Sequence, residues 1–280
     1  MHEKVYLFQN VSQNMKDFFY KKKIFYRKNN FVRKGLTLIF IHGLSSSSSA
    51  WEKFEKEFEK KFNVLSIDLR GHGKSFRPTR LNEYSIKKFS DDIYKIILKE
   101  KITKPILISH SFGNLVVFDF MKRHEKVVKA LVLISPDVAP YKIKSGRALV
   151  PFLSMSNVLG YLPTIKKKGK HINYEKYLGT GDFNFRRLYA DISNTGVKSY
   201  LYSMKNAYLV NNEKDLAKIK IPTLVIHGEN DKIFPVESGK KVSKKIKNSK
   251  MVIIKKSDHI LLINNFSRLI KEIKKFIETL

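Results

Sequence analysis

Ser109-His110-Ser111-Phe112-Gly113 closes the apolar run Pro105–Ser109 and opens a helical pattern, Phe112–Arg123. A serine at such a strand-to-helix turn stands exposed above a sheet only if small residues lie two before and two after it, so that strand and helix can approach closely. Ser109 and Gly113 meet that requirement. The pentapeptide reads S-x-S-x-G in place of G-x-S-x-G, a change of letter that keeps the steric logic. Taken alone, a serine-rich turn is also an ordinary helix cap. The other strand ends must decide.

Outward from this stretch, short apolar runs alternate with amphipathic segments. Leu36–Ile41, Val64–Asp68, Pro105–Ser109, Ala130–Ser135, Thr223–His227 and Met251–Lys255 read as strands. Their near-continuous Ile, Leu and Val suit burial on both faces of a parallel sheet. Trp51–Lys61, Ile86–Lys99 and Phe112–Arg123 read as helices between them, which predicts an α/β fold with helices flanking a mostly parallel sheet. Asp17–Tyr20 and Ile24–Arg27 read as an antiparallel edge hairpin. At the end of the chain, Phe266, Leu269, Ile270, Ile273, Phe276, Ile277 and Leu280 share one helical face, with Lys271, Lys274 and Lys275 opposite. One connection breaks the rhythm. About 85 residues separate Pro136 from Ile221, where a crossover needs only a dozen or so. The expected division is a core of residues 1–136 and 206–280 with a helical cap, 137–205, over the sheet's C-terminal edge, where open α/β sheets bind ligands.

Composition narrows the function. The 280 residues include no Cys, which removes disulfides, thiolate zinc sites and cysteine nucleophiles together. Polar Gln9 and Asn10 follow only four apolar residues, Val5–Phe8, and no run of ~18 apolar residues occurs. A soluble, cytoplasmic protein is expected. The net charge of +30 comes from 55 Lys and Arg against 25 Asp and Glu. Lysines outnumber arginines heavily, whereas a dedicated nucleic-acid reader favours the bidentate guanidinium. No helix–turn–helix, finger or RNP signature is present, so no specific nucleic acid is expected. The charge reads either as a compositional habit or as weak association with an anionic membrane surface, with Lys21–Lys23, Lys166–Lys170, Lys240–Lys250 and the last helix as its carriers.

Chemistry-bearing residues stand at the other strand ends. His42-Gly43-Leu44 follows the first core strand, Gly228-Glu229-Asn230-Asp231 the fifth, and Ser257-Asp258-His259 the sixth. With Ser111 they converge on one edge of the sheet. The chain order Ser111, Asp231, His259 is that of an α/β-hydrolase triad. His259 alone among the eight histidines follows the last strand on that edge. Glu229 and Asp137 compete with Asp231 as the acid, Asp258 reads as a surface loop residue, and Asp68 as the tie of its own Gly71–Gly73 turn.

On these motifs, together with Ser66–Ser75 and Leu131–Pro136, the chain resembles the α/β-hydrolase superfamily, in particular its esterase and lipase-like members with an inserted cap. The resemblance implies Ser111 as nucleophile, His259 as general base and Asp231 as its orienting acid. It implies Leu44 and Phe112 as the backbone oxyanion donors, with no cofactor and two-step acyl transfer on a small-molecule ester. A Ser nucleophile sets the chain apart from the dehalogenase and epoxide-hydrolase relatives, which use Asp there. Carbon–carbon bond hydrolases typically carry Asn before the nucleophile and Trp after the histidine, where this chain has His110 and Ile260. They and perhydrolases remain alternatives on the same triad, with a non-catalytic ligand-binding relative a third. Leu149, Val150, Phe152, Leu153, Val158, Leu159 and Tyr161 suggest that the ester has an apolar part.

Two further motifs fail on spacing. Gly73-Lys74-Ser75 lacks the earlier glycine of a phosphate-binding loop, since Asp68 stands in its place. No histidine pair has metal-ligand spacing on one helix, so no metal is expected. The Ser45–Ser49 run reads as a flexible loop ending in an N-cap.

Overall fold

The computed structural model describes residues 14–32, 35–142, 161 and 167–280. Eight strands form one sheet in the order β1-β2-β4-β3-β5-β6-β7-β8. β1 (Lys16–Tyr20) and β2 (Ile24–Lys28) make the expected antiparallel hairpin at one edge, and β2 also pairs antiparallel with β4 (Asn63–Ile67). From β4 onward, β3 (Thr37–Ile41), β5 (Ile106–His110), β6 (Ala130–Ile134), β7 (Thr223–Gly228) and β8 (Ser249–Ile254) run parallel. The sequence-predicted core strands therefore hold to within a residue or two at each end.

The apolar runs explain the layering. Because successive side chains in a strand point to opposite faces, Leu38 and Phe40 join one hydrophobic cluster while Ile39 and Ile41 join the other. Ile106 and Ile108 split from Leu107 in the same way, and Val132 from Leu131 and Leu133. On the first face lie α1 (Glu52–Phe58) and α8 (Phe266–Ile277), with Phe54 edge-on to Phe266 at 4.9 Å between centroids. The other carries α2 (Ile86–Lys99) and α3 (Phe112–His124). Leu269, Ile270, Ile273 and Phe276 of α8 are buried as their periodicity requires. The helix predicted over Trp51–Lys61 is shorter, a 3-10 turn at Ser48–Trp51 leading into α1.

Strand order sets the place of the site. From β3 the chain steps outward to β4, then returns across β3 to β5. The loops leaving β3 and β5 therefore lie side by side at the C-terminal edge, where such a reversal opens a crevice. Between β6 and β7 the described residues supply α4 (Phe185–Thr195) and α5 (Val197–Leu209). The final helices of the core are α6 (Val236–Lys245), the short α7 (Leu261–Asn264) and α8. The expected apolar cluster at 149–159, and Lys166 of the basic run, lie outside the described residues, while Tyr161 is exposed. Among the described residues no helix is long and apolar enough to cross a membrane.

Candidate active site

Ser111 occupies a left-handed backbone conformation, φ 52° and ψ −117°, between β5 and α3. A non-glycine residue there is strained, and the surroundings must hold it. They do so by close approach. A Cβ on Gly113 would stand 2.8 Å from the carbonyl oxygens of both Ile41 and His42, so only glycine lets α3 sit this near β3. Ser109 fills the other small position, and its hydroxyl donates to Asn114 Oδ1 at 2.7 Å. Asn114 in turn donates to the Ile134 carbonyl at 2.8 Å. The serine in place of the customary glycine thus ties the turn to the next strand.

Ser111 Oγ lies 2.9 Å from His259 Nε2, and His259 Nδ1 lies 2.7 Å from Asp231 Oδ2. All three residues are buried. Asp231 also fixes its own turn, Oδ1 accepting the N–H groups of Ile233 at 2.9 Å and Phe234 at 2.8 Å. Burial pushes the Asp231 carboxyl up, but the charge of His259 and hydrogen bonds from His227 and His259 overcome it. The result lies well below the usual carboxylate range. An ionised Asp231 only accepts, so Nδ1 of His259 carries the proton and Nε2 offers its lone pair to the Ser111 hydroxyl.

Three partners of this group carry no local sequence signal. His227, within β7, places Nε2 3.3 Å from Asp231 Oδ2 and 2.8 Å from the Phe234 carbonyl. His110 is more than a spacer beneath the turn: its Nε2 donates to the His259 carbonyl at 3.0 Å. Burial, reinforced by the charge of His259, pushes His110 down to about 3, so it stays neutral. Asp182, from the segment between β6 and β7, accepts the backbone N–H of His259 at 2.8 Å.

The competing acids are occupied elsewhere. Asp137 accepts the Ala139 N–H at 2.7 Å and the Ser238 hydroxyl. Glu229 accepts the Lys256 N–H at 2.9 Å, and Asp258 accepts that of Ile260 at 3.0 Å.

Phe112 is the first residue of α3, where backbone N–H groups lack intrahelical acceptors and the helix dipole is positive. Neither its N–H nor that of Leu44 has a hydrogen-bond acceptor among the described residues. The loop bearing Leu44 is built from below. His42 donates from Nδ1 to the Gly43 carbonyl at 2.7 Å and accepts the Leu69 N–H at 3.0 Å. The Ser45–Ser49 run departs from the expected flexible loop: Ser47 and Ser48 are fully buried. Asp68 accounts for this, because its carboxylate accepts the N–H groups of Ser48 and Lys74, both at 2.7 Å, and the His171 ring at 2.9 Å. Its role thus extends beyond the glycine turn it was expected to tie. Among the described residues no group of three His, Cys, Asp or Glu is placed to hold a metal ion.

Residues 34–266 match the family described as serine aminopeptidase, S33. The chain belongs to that family, within the α/β-hydrolase superfamily. It is similar to the AB hydrolase superfamily protein YisY of Bacillus subtilis (strain 168), 27% identical over 236 residues that span 80% of this chain and 85% of the relative. Two solved structures share the fold. MGS-M2, an alpha/beta hydrolase enzyme from a Medee basin deep-sea metagenome library, gives a TM-score of 0.74 at 18% identity, covering 94% of this chain and 97% of that one. The esterase RhEst1 from Rhodococcus sp. ECU1013 gives 0.68 at 20% identity, covering 96% and 100%. The protein is a hydrolase of this fold.

The basic stretches do not share one face. Lys21–Lys23 sit in the β1–β2 turn, whereas Lys240, Lys241, Lys244 and Lys245 ride on α6 beside β7 and β8, at the opposite edge of the sheet.

Proposed function

We propose that this hydrolase cleaves a carboxylic ester through an acyl-enzyme, with Ser111 as nucleophile, His259 as general base and Asp231 as the acid that orients it. One observation carries the reading: Ser111 Oγ, on a strained strand-to-helix turn, is 2.9 Å from His259 Nε2, whose other nitrogen is 2.7 Å from an ionised, buried Asp231. As Ser111 attacks the carbonyl carbon, its proton passes to His259 Nε2, and Asp231 stabilises the imidazolium. The carbonyl oxygen becomes an anion, which the N–H groups of Leu44 and Phe112 receive. Collapse expels the alcohol, protonated by His259, and leaves Ser111 acylated. Water then gives its proton to His259, attacks the acyl carbon, and releases the acid while Ser111 regains its proton.

A fluorophosphonate label on the full chain, with a series of p-nitrophenyl esters of increasing acyl length, tests this. Wild type should label and turn over, while Ser111→Ala should not label and should lose several orders of magnitude in kcat. Equal turnover by Ser111→Ala would refute the assignment. A maximum beyond acetate would support an apolar acyl part, and a steady fall from acetate would remove it.

A further inference from the structure

Asp182 lies far from the proposed catalytic residues in sequence, 77 positions before His259 and 50 before Lys232. In space its carboxylate straddles the two loops that carry the base and the acid. Oδ1 accepts the backbone N–H of His259 at 2.8 Å, and Oδ2 accepts that of Lys232, the residue after Asp231, at 2.9 Å. The side chain is buried, with 5% of the residue exposed, so water is a poor substitute for either bond. The backbone that carries it is itself held. The carbonyl of Asp182 accepts from Arg187 Nη2 at 2.7 Å, and the same guanidinium reaches Asp191 at 3.3 Å. Asn184 caps α4 by accepting the Arg187 N–H at 2.9 Å. The first turn of α4 thereby anchors a single anion across two strand-end loops.

Resting on the reading given under Proposed function, we infer that Asp182 is a positioning residue for the reaction, setting the spacing of the Asp231 and His259 loops from the segment between β6 and β7. The contact is to the backbone of His259, so it fixes where the imidazole starts. The ring's own hydrogen bonds to Ser111 and Asp231 fix only its orientation. Without the carboxylate, two buried N–H groups lose their acceptors, and the loops keep only their direct ties, such as Glu229 to the Lys256 N–H and His259 to Asp231. A displacement of about 1 Å at a reacting group can cost 10²-fold in rate.

The test separates positioning from folding. Wild type, Asp182→Ala, Asp182→Asn and Ser111→Ala, each as the full chain, are assayed on p-nitrophenyl butyrate. Competent serines are counted by titration with a fluorophosphonate. kcat per titrated serine should fall about 10- to 100-fold in Asp182→Ala, with KM within about twofold. Asp182→Asn keeps one carbonyl acceptor but turns an NH₂ towards the other N–H, so it should fall less, and it carries the test if the alanine variant does not fold. A purely structural role would lower the number of titratable serines and leave kcat per serine at the wild-type value, which would overturn the inference. Ser111→Ala separates the two readings. If it turns over like wild type, the functional reading fails and this inference with it. If it is silent while both Asp182 variants keep wild-type kcat per serine, only the role of Asp182 fails.

Discussion

His72 is fully buried in the turn after β4, its ring 6.3 Å from that of Phe112. Nδ1 donates to the Arg70 carbonyl at 2.9 Å, and Nε2 meets no partner among the described residues. Protonation would add an N–H and a charge where nothing accepts either. Burial therefore pushes the imidazole down, His42 beside it pushes the same way, and the net is about 3. In the unfolded chain a histidine titrates near 6.5. Below that value the unfolded state takes up a proton that the folded state refuses. Stability from this group is complete above about pH 6.5 and is lost as the pH falls towards 3. At pH 5 the loss relative to pH 8 is about 2 kcal/mol, set almost wholly by the unfolded value. His42, also buried and pushed down to about 4, adds a similar loss. Asp191, raised by burial to about 6, works in the opposite direction and returns about 1 kcal/mol over the same range. Against a total of about 5–15 kcal/mol these are large effects. His72→Asn keeps a donor for the Arg70 carbonyl and does not titrate. Urea unfolding followed by the fluorescence of buried Trp51, the single tryptophan, should show a pH 8 to pH 5 loss about 2 kcal/mol smaller in the variant. Equal losses in variant and wild type would refute the reasoning, whatever the variant's stability at pH 8.

Two substitutions probe the architecture of the site. Gly113→Ala places a Cβ 2.8 Å from the backbone oxygens of Ile41, the last residue of β3, and of His42 after it, so α3 must shift. A destabilisation of about 1–3 kcal/mol is expected from urea midpoints, with a fall in kcat, and an unchanged midpoint with unchanged turnover would contradict it. Asp231→Asn should lower kcat by about 10⁴, because the amide no longer holds the Nδ1–H tautomer of His259. Asp137→Asn should stay within a few-fold in the same ester assay, and the reverse ranking would move the acid to Asp137.

The sheet was legible because its strands are buried on both faces, so Leu38–Ile41 or Ala130–Ile134 could be continuous apolar runs with no helical period. α2 was legible end to end, Ile86–Lys99, because one face is apolar throughout. The four strand-end motifs needed only chain order and the C-terminal edge rule to be brought together. What stayed hidden depends on long-range polar satisfaction. Ser45–Ser49 has the composition of a solvated loop, yet all of it but the half-buried Ser46 is buried, because Asp68, Tyr174 and Thr195 supply its hydrogen bonds from 20 to 150 residues away. His227 and His110 looked like strand and turn fillers because nothing in their neighbours reveals a ring aimed at Asp231 or at the His259 carbonyl.

These hidden contacts share one chemistry. In a chain with 25 acidic residues against 55 basic ones, three buried aspartates stand at the loops of one sheet edge. Each accepts two backbone N–H groups: Asp68 from Ser48 and Lys74, Asp182 from Lys232 and His259, Asp231 from Ile233 and Phe234. A hydrogen bond from a backbone N–H to an ionised carboxylate is about twice as strong as a neutral one, and its geometry is directional. Apolar packing could hold these loops against the core but could not fix which way a peptide plane faces. In the proposed chemistry that orientation is what matters, since an oxyanion is received by N–H groups and a base is carried on a backbone that must not drift. Asp68 sets the β3 loop through Ser48, four residues beyond Leu44, while Asp182 and Asp231 set the loops after β7 and β8. These three carboxylates thus stand where backbone direction matters to the proposed chemistry. Many of the abundant lysines stand elsewhere, several of them in ion pairs such as Lys241 with Glu213 and Lys274 with Glu57.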